Sequence, residues 1–163
     1  MVDSRVPANL NVMMKTLLTF SFLMSFVGTA NAATTSVKLN ITASSVVTPS
    51  PDPCLLSNYI AGSSASTQLG AGAFSIFETG NFCSQPGSVV ASGQFILTLA
   101  NGTKLFGRTD STGTFNPDGS VTLQGLAHIY GGTGIYANAV GVLVLQGTAT
   151  SSVSATMTGI LHY

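Results

Sequence analysis

GGTGIYANAVG, residues 131–141, is the stretch on which the reading of the chain turns. Its core, Gly132-Thr133-Gly134-Ile135-Tyr136-Ala137, fits G-x-G-x-x-A, a permitted form of the dinucleotide-binding fingerprint. Such a loop works because glycines bring the backbone close to a pyrophosphate while the N-terminus of the next helix donates its N–H groups. The segment after this turn does not read as a helix. Val140–Gly147 (VGVLVLQG) alternates like a strand, is rich in β-branched residues, and carries Gly141 and Gly147. The fingerprint also needs an acidic residue about 20 positions further on, and no Asp or Glu occurs after Asp118. The stretch is therefore a structural turn between two strands. Gly131, Gly132 and Gly134 are expected to supply its unusual backbone angles, and no cofactor is expected.

Outward from this turn, long helical periodicity is absent. Short runs of β-branched and aromatic residues alternate with turn residues. The candidate strands are Ser36–Ile41, Ala73–Thr79, Val90–Leu99, Lys104–Thr109, Gly113–Phe115, Ser120–Tyr130, Val140–Ala149 and Ser154–His162. Asn101-Gly102 stands between two apolar runs and predicts a type I′ hairpin turn. Asn116-Pro117-Asp118-Gly119 predicts a β-turn, because proline presets its φ and glycine closes it. Consecutive hairpins make an antiparallel meander. Thr42–Pro53, with three prolines, reads as a connecting loop, and Gly62–Gly72 as a second loop of small residues.

Alternation also assigns faces. Phe95, Leu97 and Leu99 share one side of their strand, and Phe74, Ile76 and Glu78 share one side of theirs. Val140, Val142 and Val144 face away from Leu143 and Leu145, so that strand is apolar on both sides. One face suits a barrel interior and the other a second subunit, which makes a homo-oligomer the expectation.

The amino terminus has the pattern of an export leader. Lys15 precedes an apolar run, Thr16–Val27, and then Ala30-Asn31-Ala32 offers a small-residue cleavage site. Residues 1–32 thus read as an upstream extension plus secretory signal peptide, and residues 33–163 as one domain in a secreted or periplasmic protein. In that domain three cations, Lys38, Lys104 and Arg108, stand against Asp52, Glu78, Asp110 and Asp118. So few cations cannot neutralise a phosphate backbone or an anionic bilayer, so neither nucleic acid nor a charged lipid surface is an expected partner. Cys54 and Cys83 are the two cysteines of the chain, and in an exported protein they are expected to form a disulfide. The end, MTGILHY, has the alternation of an outer-membrane barrel terminus, but the chain has no Trp and four Tyr for aromatic girdles. A membrane barrel is not the reading adopted.

The block from Phe95 through the glycine turn to Thr150 resembles a group of small exported bacterial proteins that carry a GGTGRFAGATG-like element after a long strand. Those are similar in fold to allene oxide cyclase and the plant dirigent proteins. Gly131, Gly132, Thr133, Gly134, Ala137, Ala139 and Gly141 keep the pattern. Ile135 stands where Arg is usual, Tyr136 replaces Phe, and Asn138 replaces Gly. The resemblance covers residues 93–163 and implies an all-β, eight-stranded antiparallel barrel of the calycin-like type. It carries over no catalytic residue.

No G-x-S-x-G elbow and no H-E-x-x-H motif occurs. His128 and His162 alone make an incomplete metal site, so no metal is expected. His128 shares a strand face with Leu126 and Tyr130. Arg108 and Asp110 fall on one face if their strand continues through Thr109: a solvent-facing ion pair, or a polar floor if that face is interior. Glu78, in line with Phe74 and Ile76, is either a strand-end carboxylate in water or a buried acid with a raised pKa. Glu78, Arg108, His128 and Tyr130 are the candidate ligand contacts. Two functions are compatible with this pattern. One is a binding or structural barrel for a small apolar molecule. The other is a cofactor-free cyclase, isomerase or dirigent-like enzyme in which cavity shape and desolvation act with these groups.

Overall fold

Period-two alternation, sustained for ten residues or more in each strand, carries the chain around one closed surface. The structure, a computed structural model, describes residues 32–163; the expected leader, but for its last residue, lies outside them. The strands are β1 (Thr34–Pro49), β2 (Leu55–Ser66), β3 (Gly70–Asn81), β4 (Ser88–Leu99), β5 (Lys104–Phe115), β6 (Val121–Gly132), β7 (Val140–Ala149) and β8 (Ser152–His162). Each pairs antiparallel with the next, and β8 closes on β1 from Thr34↔His162 to Ser44↔Ser152. The fold is an eight-stranded antiparallel β-barrel. Closure of β8 on β1 removes the two edge strands that an open sheet would expose.

The number of strands agrees with the sequence, but their bounds need three corrections. Lys104–Thr109 and Gly113–Phe115 are one strand, β5, running through the polar residues Asp110–Thr112. Asp110 pairs with Ser92, Ser111 with Ala91, and Thr112 with Val90 in an unbroken ladder, so tertiary pairing overrides weak local propensity. The missing strand is β2, whose Gly, Ser and Ala content hid it. Thr42–Pro49 is likewise strand, because β1 stays paired with β8 as far as Ser44 and with β2 as far as Pro49.

The hairpin at Asn101-Gly102 is also of another type. A type I′ turn needs positive φ at both central residues, yet Gly102 alone takes it, at +82°. Gly102 N–H donates to Leu99 O at 2.8 Å and Leu99 N–H to Thr103 O at 2.8 Å. This is a three-residue loop, a type I turn followed by a left-handed glycine. Asn116–Ser120 repeats it, with Gly119 at φ +82° and Gly119 N–H donating to Asn116 O at 3.0 Å.

The two ends of the interior are packed differently. At the end where β6 leads into β7, Phe74 and Phe95 stack with ring centroids 5.7 Å apart, joined by Leu97, Leu105 and Leu161. The Phe95 ring lies over Gly107, where a Cβ would come within 2.3 Å of it. The single turn of 3-10 helix, Gly134–Tyr136, caps this end. Its Tyr136 is buried against Tyr163 with centroids 4.8 Å apart. Of the three glycines read as a turn, Gly134 alone has positive φ, +59°. Gly132 is required for another reason, since a Cβ there would lie 2.2 Å from Lys104 O.

At the opposite end small inward residues, Gly80, Ala91, Gly93, Gly113, Gly125 and Gly147, are interleaved with Leu56, Val89 and Leu123. Here the Cys54–Cys83 disulfide, with Cα atoms 5.2 Å apart, joins the β1–β2 and β3–β4 connections. Phe82 and Phe115 stack beside it at 6.0 Å. Among the described residues no helix is long and apolar enough to cross a membrane.

Candidate functional site

A cavity of about 50 Å³ lies inside the barrel between Phe74 and the disulfide end, several times the roughly 10–15 Å³ that one water needs and about a third of the roughly 150 Å³ that holds benzene. Ile60, Ile76, Leu145 and Met157 supply its apolar wall, and Glu78, Thr109 and Ser111 its polar side. Glu78, Ser111 and Leu123 are only partly buried, so the cavity opens toward the disulfide end.

Glu78 reaches this space because β3 alternates without interruption: Phe74 and Ile76 are inward and buried, and Glu78 is the next inward residue. Its Oε1 accepts from Asn58 Nδ2 at 3.1 Å, and Asn58 Oδ1 accepts from Ser45 Oγ at 2.6 Å. These three residues, on β1, β2 and β3, form a hydrogen-bonded chain that holds the carboxyl in place. Burial pushes the Glu78 carboxyl above its ordinary value of 4.5, and the Asn58 hydrogen bond offsets only part of that shift. The result is an acid that keeps its proton to higher pH than a solvated glutamic acid.

Thr109 stands on the far side of Gly93 in the same row, since Glu78 pairs with Gly93 and Gly93 with Thr109. It is 1% exposed, and no protein group hydrogen-bonds its Oγ1. Buried hydroxyls are normally satisfied.

The other three candidates lie outside the barrel wall. Arg108 and His128 are cross-strand partners on the outer face of β5 and β6. Arg108 Nη2 meets Asp110 Oδ2 at 3.0 Å, with side chains 61% and 46% exposed. β5 does continue through Thr109, and the pair it presents is the solvent-facing one. Tyr130 is exposed at the irregularity where β6 shifts register against Phe106 and Gly107. His128 and His162 border an outer groove with Val140, Val142 and Ile160, and His162 Nδ1 is hydrogen-bonded to Thr34 Oγ1 at 2.9 Å. The wall therefore separates Glu78 from Arg108, His128 and Tyr130. The four do not converge.

Sequence reasoning missed Asn58, Ser45 and Thr109. Asn58 lies between Leu56 and Ile60 at strand spacing, so recognition of β2 would have exposed it as an inward polar residue. Thr109 comes after Leu105 and Gly107 on the inward face of β5. Only closure of the barrel shows that it shares a cavity with Glu78.

Comparisons with protein-family models, with curated proteins and with solved structures return no match to this chain.

Proposed function

We propose that this chain is an exported small-molecule-binding barrel, akin to the small exported proteins it resembles, whose interior holds one small and largely apolar molecule. The observation that carries this reading is the cavity itself. It sits inside an otherwise closely packed barrel, is walled by aliphatic side chains, and carries one hydrogen-bonded carboxyl and one unpartnered hydroxyl. Sites for small ligands are concave, mostly apolar and fitted with a few placed polar groups. The apolar interior is the reverse of a porin-like barrel's polar lumen, while the outer face mixes Ser and Thr with exposed Val, Ile, Phe and Tyr side chains. The disulfide suits an oxidising compartment.

Native mass spectrometry of the chain purified from its own host without detergent tests this reading. A retained small molecule, lost when Ala155→Leu fills the cavity, is the expected result. An empty barrel that also takes up no added small hydrophobe rejects it.

A second reading is a cofactor-free cyclase or isomerase, favoured by the raised pKa of Glu78 beside the cavity, since a proton held there is available to a substrate. Turnover of a bound molecule that ceases in Glu78→Gln separates catalysis from binding.

A further inference from the structure

Glu78 and Thr109 approach one cavity from strands on either side of β4, and Gly93 is the residue between them. A Cβ on Gly93 would lie 2.5 Å from Glu78 Cβ, so the wall between the carboxyl and the hydroxyl is bare by necessity. Two polar groups thus face one small apolar space across a gap with no side chain of its own. Resting on the binding reading above, we infer that the occupant is a small neutral hydrophobe with one oxygen acceptor, a ketone, ester or lactone, held between the Glu78 carboxyl and the Thr109 hydroxyl.

Charge decides the class. The neighbours of Glu78 inside the barrel are Asn58 and Ile60 on β2, Ile76 and Gly80 on β3, Ala91 and Gly93 on β4, and Thr109 and Ser111 on β5. None is ionisable. Among the described residues, Lys38, Lys104, Arg108, Asp110, His128 and His162 belong to the outer face or the strand ends, and Tyr136 and Tyr163 close the opposite end. Asp52 and Asp118 lie in the exposed loops of the open end and are themselves acids. An anionic ligand would meet Glu78 with no inward cation to balance it. A cationic ligand would require an ionised carboxylate, the form that burial disfavours. A pure hydrocarbon would leave Thr109 Oγ1 unsatisfied. A neutral acceptor satisfies both groups: the carboxyl proton and the hydroxyl proton each donate to its oxygen, and its carbon frame meets Ile60, Leu145 and Met157.

Four compounds small enough for this cavity test the assignment by NMR titration of the wild-type protein: acetone, isobutene, methanesulfonate and isopropylamine. Acetone is expected to bind at least about tenfold more tightly than isobutene near pH 4, and to weaken as pH rises and Glu78 ionises. Glu78→Gln keeps a neutral donor, so it retains ketone binding and loses the pH dependence. Thr109→Val lowers ketone affinity several-fold and leaves hydrocarbon affinity unchanged. Equal binding of ketone and hydrocarbon overturns the assignment while the cavity remains a binding site. Tightest binding of the amine, increasing with pH, overturns it in favour of a cationic ligand. Failure of all four to bind removes the binding reading itself.

Discussion

Asn58 donates through Nδ2 to Glu78 Oε1 at 3.1 Å, and this one hydrogen bond joins β2 to the only acidic side chain on the inward face among the described residues. Ser45 donates to the same Asn58 at 2.6 Å, so three consecutive strands meet in one polar chain. Cutting that chain frees the carboxyl to rotate without removing it. Asn58→Leu is expected to lower stability by about 1–3 kcal/mol, the cost of leaving buried polar partners unpaired. Urea denaturation measures it, and an unchanged midpoint would show that the carboxyl is solvated rather than held.

Glu78 and Asp118 should shape stability against pH from opposite sides. Burial raises the Glu78 pKa, so the folded state holds this proton more tightly than the unfolded chain. Its contribution is fully present below about 4.5 and is lost as pH rises toward the folded pKa. Asp118 accepts from Ser120 Oγ at 2.6 Å and from Ser120 N–H at 2.9 Å, and these bonds lower its pKa below 3.8. Its contribution is present above that value and fades as pH falls through the folded pKa. Thermal melts across pH should therefore lose the decline above pH about 4.5 in Glu78→Gln, and part of the acid limb in Asp118→Asn. A Glu78→Gln profile parallel to wild type would place that carboxyl in water.

The disulfide closes a loop with a sequence separation of 29 between two connections at the open end. On the chain-entropy model it contributes about 3–4 kcal/mol. Reduction, or Cys54→Ser with Cys83→Ser, should lower the denaturation midpoint accordingly while the barrel still forms, because its strands pair independently of the bridge. Loss of small-molecule binding without loss of β-sheet circular dichroism would show that the bridge also shapes the cavity mouth.

The glycines of the 131–141 stretch should differ sharply, and the difference shows what was legible in the sequence. Reading Val140–Gly147 as a strand sufficed to reject a nucleotide loop, because alternation is a local property. Which glycine does what depends on neighbours distant in sequence: Lys104 O sits 2.2 Å from where a Cβ on Gly132 would be, while the nearest atom to one on Gly131 is 3.7 Å away. The inward side of Glu78 was legible for the same local reason as the strand, and its pairing with Asn58 was not, because β2 has too few large residues to announce itself. Gly132→Ala is expected to cost about 1–3 kcal/mol or more, and Gly131→Ala to stay within about 0.5 kcal/mol of wild type. Chemical denaturation of the two variants decides; equal costs would refute the packing explanation.

Among the described residues two buried hydroxyls lack protein partners, Thr109 Oγ1 and Ser64 Oγ, and the contrast between them separates function from tolerated imperfection. Both residues are almost wholly buried, at 1% and 4% exposure. Thr109 lines the cavity; Ser64 pairs with Ile41 and Gly72 and does not. A buried unsatisfied hydroxyl costs about 1–3 kcal/mol, so Thr109→Val and Ser64→Ala are each expected to stabilise the barrel, by up to about that amount. Ser64→Ala should leave uptake of a small ketone unchanged, whereas Thr109→Val should weaken it several-fold. Stabilities come from urea denaturation and affinities from NMR titration on the same samples. If both variants gained stability and neither altered binding, the open hydroxyl of Thr109 would be a packing defect like that of Ser64. If Thr109→Val gained stability and lost affinity, the protein keeps that hydroxyl at the expense of its own stability because a ligand uses it, as residues that bind rather than fold commonly do.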